Sequence, residues 1–131
     1  MLHPNQFQVN EAWILFRLND APFRTEQDGD FNIFALMDAA SCFILASDPV
    51  ATSAAELSEP EAGRLLEEGY AQGQKLPETL FVPHEESASI LTAAAEGQGI
   101  TVSRVPEDEL LVFIGEAREA FRERFGGSGM H

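Results

Sequence analysis

Residues 76–105 read LPETLFVPHEESASILTAAAEGQGITVSRV. The run Thr79-Leu80-Phe81-Val82 is short and apolar, and Pro77 and Pro83 bound it. That pattern fits a strand buried on both faces. Pro83 has no N–H to donate, so pairing is expected to stop there. A helix is expected over 85–96, with Ile90, Leu91, Ala94 and Ala95 as its apolar stripe. Glu85 and Glu86 would occupy its first turn, where the helix dipole favours anions, and Gly97 and Gly99 would stop it. Residues 100–105 alternate in polarity, as a strand near a sheet edge does. A strand, a crossover helix and a second strand imply parallel pairing with a right-handed connection.

Upstream, AWILFRL (12–18) is interrupted only by Arg17, so it reads as a central strand buried on both faces. The segment before it, 1–11, is polar and is expected to be a poorly held arm. NDAPFRTEQDGD (19–30) reads as a wet loop broken by Pro22 and Gly29. Residues 31–37 and 42–46 form the second and third strands around the tight connection Asp38-Ala39-Ala40-Ser41, giving an antiparallel meander. After a loop over 48–57, Ser58-Glu59-Pro60-Glu61 has the spacing of a capping box with proline in the first turn. The helix it starts carries Ala62, Leu65, Leu66, Gly69, Tyr70 and Gly73 at helical spacing and ends near Gly73. Each glycine weakens it by about 1 kcal/mol relative to alanine, and small residues there permit close approach to the sheet. A last helix over 106–125 places Glu107, Asp108 and Glu109 at its start and Arg118, Arg122 and Arg124 at its end. That polarity suits the dipole, with Leu110, Ile114, Ala117, Phe121 and Phe125 inward and Gly126 as the cap. A flexible tail is expected over 126–131.

The fold class is therefore α/β (mixed α+β): a five-stranded mixed sheet in one domain, 1–131, with elements in the order β-β-β-α-β-α-β-α. The expected core is Trp13, Ile14, Leu15, Phe16, Phe34, Leu36, Ile44, Leu80, Val82, Ile90, Leu91, Ile114 and Phe121. The 131 residues suffice for one core. No run approaches a membrane span of about 18 apolar residues, and residues 1–13 show no secretory pattern. The single cysteine, Cys42, has no internal partner, so a reduced, cytoplasmic setting is expected. Net charge is −14, from 22 acids against 8 bases. Such a surface repels nucleic-acid phosphates and anionic lipid, so neither is an expected partner.

This element order resembles the ribonuclease H-like fold of retroviral integrase and transposase cores, over residues 12–125. FALMDAASCFILA is similar to the second and third strands of integrase cores, with an Asp and a Ser at the hairpin turn. LPETLFVPHEESASILTAAAEGQGITV is similar to their fourth strand, the helix after it and the fifth strand. A ferredoxin-like or other α+β arrangement of the same elements is the structural alternative. The resemblance implies carboxylates holding two divalent metals about 4 Å apart at the transferring phosphate. The first would come from inside the first strand, but AWILFRL has no acid, and Asn19 and Asp20 come only after it. The second would lie just past the fourth strand, at Pro83-His84-Glu85. A last acid on a later helix would be Asp108 or Glu109.

The candidate metal ligands are therefore Asp20, His84, Glu85, Asp108 and Glu109, with no catalytic residue, cofactor or resident metal assigned. His84-Glu85-Glu86 otherwise reads as a solvated helix start, Asp38 and Ser41 as turn chemistry, and Cys42 as a buried strand thiol. No Gly-rich phosphate loop is present, because GYAQGQK lacks its spacing. Three functions stay open. The first is a non-catalytic accessory domain whose partner is another protein. The second is a metal-dependent phosphodiester enzyme using Asp20, Glu85 and Asp108 or Glu109. The third is a small-molecule sensor binding near His84.

Overall fold

The computed structural model describes residues 1–19, 22, 24 and 29–126. Its sheet has five strands: β1 (Ala12–Arg17), β2 (Phe31–Asp38), β3 (Ile44–Ala51), β4 (Thr79–Pro83) and β5 (Thr101–Val105), in the spatial order β3-β2-β1-β4-β5. β1 pairs antiparallel with β2 and parallel with β4, and β4 pairs parallel with β5. β1 is thus central and β5 an edge, as the sequence implies. Most of the expected loop (20, 21, 23 and 25–28), the tail (127–131) and the Phe125 side chain lie outside the described residues.

Alternation along β1 divides the core. Trp13 and Leu15 face helices α1 (Glu59–Gly73) and α2 (Ser89–Gly97), together with Leu36, Leu65, Leu66, Leu80, Val82, Leu91 and Ala95. Ala12, Ile14 and Phe16 face α3 (Leu111–Phe121) and the residue before it, through Leu110, Phe113 and Ile114. α1 begins as its sequence dictates. Ser58 Oγ accepts from the Glu61 amide at 3.3 Å, and Glu61 Oε1 accepts from the Ser58 amide at 2.8 Å. Its glycines do different work. A methyl at Gly69 would meet Trp13 and Leu36 side-chain carbons at 2.9 Å, so this position must stay bare for the helix to reach the sheet. At Gly73 it would meet the Asn10 side chain at 2.5 Å, and the left-handed residue that ends the helix is instead Gln74, at φ 58°. At Gly63 it would meet nothing within 4 Å.

Several boundaries differ from the sequence expectation, each for a local reason. Residues 1–11 are not a poorly held arm. Asn10 donates its amide to Asp38 Oδ1 at 2.8 Å, the Leu2 amide reaches the Glu109 carbonyl, and Phe7 packs edge-on against Phe81, centroids 5.7 Å apart. The third strand runs over Ile44–Ala51 rather than 42–46. Asp38 accepts from both the amide and the hydroxyl of Ser41, which holds the chain in a turn through Cys42 (φ 60°). Cys42 is accordingly a half-buried turn residue and not a strand thiol; burial, then Glu116 and Asp38, push its pKa up. Pro49 is tolerated in β3 because that strand is an edge. Helix α2 starts at Ser89, not 85. Residues 84–87 are turned aside, and the amide of Ile90 is capped from afar by Glu56 Oε1 at 2.6 Å. Ile90 is consequently 38% exposed, while Leu91 and Ala95 are buried. The last helix is three pieces: a 3₁₀ turn (Glu107–Leu110), α3, and a π turn (Arg122–Gly126). Ile44 and Phe121 are half-buried rather than fully so.

Two substitutions on α1 separate its cap from its packing. Ser58→Ala should lower stability by about 1 kcal/mol through loss of the capping box. Gly69→Ala, which should stabilise an isolated helix, is expected to cost about 1–3 kcal/mol through overpacking against Trp13. Urea unfolding followed by the single tryptophan's fluorescence measures both; an unchanged midpoint for Ser58→Ala, or a raised one for Gly69→Ala, would contradict this packing.

Candidate functional site

β1, β4 and β5 all run the same way, so their carboxyl ends share one edge of the sheet. In open α/β sheets ligands commonly sit at that edge. Here it is built from Arg17 at the end of β1, the turn after Pro83, Arg104 on β5, Glu107 and Arg118. β1 is buried through Phe16, with exposure of 1% or less at each residue, so Arg17 is its first polar side chain.

Most charged side chains at this edge are engaged within it. One Arg104 guanidinium nitrogen donates to the Pro83 carbonyl at 3.0 Å and also to the carbonyls of His84 and Glu86. This bond set holds residues 84–86 as a turn and explains why the helix does not begin there. The Glu85 carboxylate accepts from the Glu107 amide at 3.0 Å. The Glu107 carboxylate pairs with Arg118 Nη2 at 2.6 Å, and Arg118 Nε donates to the Arg17 carbonyl at 2.9 Å. Arg17 Nε lies 3.9 Å from the Glu86 carboxylate, too far for a hydrogen bond but close enough for attraction. Burial raises the Glu86 pKa. Arg17 and Arg118 act against that rise, and Glu107 and Glu85 add to it.

The residues suggested by sequence are therefore only partly brought together. His84 and Glu85 lie at this edge, and His84 is exposed, with its amide bonded to the Val105 carbonyl at 2.7 Å. Asp108 is exposed on the 3₁₀ turn. Glu109 faces the amino-terminal ammonium at 3.5 Å. Asp20 lies outside the described residues. Asp38 and Ser41 sit at the opposite end of the sheet, where Trp13 pairs with Asp38. Among the described residues, no three or more His, Cys, Asp or Glu side chains are arranged to hold a metal ion. Among the described residues, no carboxylate set at this edge is arranged to hold two metals. The strand that should supply the first carboxylate supplies apolar side chains and then Arg17, and Arg118 stands beside it. The sequence reading missed Arg17, Arg104, Glu107 and Arg118 as a group. Arg17 is the visible signal: a lone charge ending an apolar strand.

No family model matches the chain, and no curated protein matches it. Among solved structures, the chain is similar to one in the "CryoEM structure of simian T-cell lymphotropic virus intasome in complex with PP2A regulatory subunit B56 gamma". The TM-score is 0.58 and the identity 12%, over 88% of this chain and 39% of that one. The likeness concerns the fold, and the chain spans about two-fifths of that protein's length. No helix among the described residues is long and apolar enough to cross a membrane.

The raised Glu86 pKa has a signed consequence. The folded state holds this proton more tightly than the unfolded state, so the associated stability is fully present below the unfolded pKa. It is lost as pH rises through the higher folded value. Glu86→Gln should remove that loss. The variant should match the wild type in acid and gain on it as pH approaches neutrality, in denaturation midpoints taken across pH. A variant that loses ground with rising pH would show that pairing with Arg17 outweighs burial.

Proposed function

We propose that this chain is a non-catalytic accessory domain, a ribonuclease H-like scaffold used for binding another protein. The observation that carries the reading is the pair of guanidiniums, Arg17 and Arg118, at the edge where the fold's chemistry would require converging carboxylates. The strand order and the likeness to an intasome chain support the scaffold. That intasome is described in complex with a protein partner, which accords with an interaction role. The net charge of −14 opposes approach of a polyanionic substrate and points away from nucleic acid.

The purified chain is expected to cleave neither single- nor double-stranded DNA or RNA with magnesium or manganese at low salt. Cleavage that survives purification and disappears in Glu85→Gln or Asp108→Asn would overturn the proposal in favour of the phosphodiester enzyme.

A further inference from the structure

The excess acid is unevenly placed. Three of the eight basic residues, Arg17, Arg104 and Arg118, are engaged at the carboxyl edge of the sheet. Helices α1 and α2 together carry one base, Arg64, and it is bound to Asp48 of β3 at 2.6 Å. The same two helices carry Glu59, Glu61, Glu67, Glu68 and Glu96. Both pack on one face of the sheet, and each connects strands that run the same way, so they lie side by side in the same sense.

Between them is a groove of about 380 Å³ lined by Glu59, Ile90, Ala93 and Ala94. Ile90 is exposed, because α2 starts late and is capped by Glu56, and Ala93 is exposed beside it. Helical spacing carries the Glu59 line of α1 on through Gly63, where even a methyl would meet nothing, to exposed Glu67. The groove thus has an apolar floor of Ile90 and two alanines, with Glu59 at its side and Glu67 exposed beyond it on the same row, and neither helix carries a free cation.

We propose that this groove docks an amphipathic helix of a partner protein, with an apolar stripe flanked by Lys or Arg; the proposal rests on the interaction role above. Helices are commonly received in grooves of this kind, with apolar anchors at i, i+3, i+4 and i+7. Ile90 and the alanines receive the anchors. Glu59 and Glu67 meet the flanking cations and fix the register.

The probe is a labelled synthetic peptide of about four helical turns, leucines on one face and lysines beside them, against a scrambled peptide of the same composition. The ¹⁵N-labelled full chain is titrated with each, and affinity is read by anisotropy. The amphipathic peptide should shift the amides of Gly63, Ile90, Ala93 and Ala94 and bind more tightly than the scrambled one. Glu59→Lys with Glu67→Lys should weaken it by about tenfold or more. Glu116→Lys with Glu119→Lys, an equal charge change on α3, should change it by less than about twofold, as general screening allows. Equal binding of the scrambled peptide, equal loss in both variants, or no binding would overturn the proposal. Shifts centred on another face would overturn the groove and leave the interaction role standing, whereas nuclease activity in the assay above would remove the role itself.

Discussion

Everything in this structure follows from β1 being covered on all sides. It is flanked by β2 and β4, and its two faces are covered by helices. From Ala12 to Phe16 no residue is more than 1% exposed. A charge at those positions would be stripped of water with no partner, which costs several kcal/mol. Trp13 makes the constraint tighter still, since it lies against the bare backbone of Gly69 and fixes how close α1 can come. The helix, in turn, places Gly73 against Asn10, and Asn10 ties the amino-terminal segment to Asp38.

The same constraint decides the chemistry of the sheet's carboxyl edge. A carboxylate inside β1 would need a cation or a proton to neutralise it. With apolar residues there, the first side chain able to reach water is Arg17. Around it, Glu107 pairs with Arg118, Glu85 and Arg104 bond backbone groups, and Glu86 lies 3.9 Å from Arg17 Nε. The unbalanced charge of the molecule lies away from this edge, and α1 and α2 carry a share of it, five glutamates against one arginine.

How much of this was legible in sequence depended on whether the cause was local. Four of the five strands, the position of β1 and the Ser58 capping box follow from short-range pattern and appear where that pattern puts them; β3 is displaced toward Ala51. Long-range bonds moved much of the rest. Arg104 captured the carbonyls from Pro83 onward, and Glu56 capped α2 from the loop before α1, so the helix started four residues late and Ile90 turned outward. The delay of β3 has a local cause instead, Asp38 holding Ser41 three residues on. Arg118 Nε donates to the Arg17 carbonyl across 101 residues of sequence, a link no periodicity could register. The lone arginine ending an apolar strand was the one trace it left.

The account stands on the carboxyl edge being neutralised by its own arginines. Titrating the ¹⁵N-labelled chain with Mn²⁺ and following paramagnetic broadening tests that directly. The expected result is weak broadening, linear in metal and spread over exposed carboxylates such as those of α1. Saturable broadening at low metal concentration, centred on His84, Glu85, Glu86 and Glu107, would contradict it.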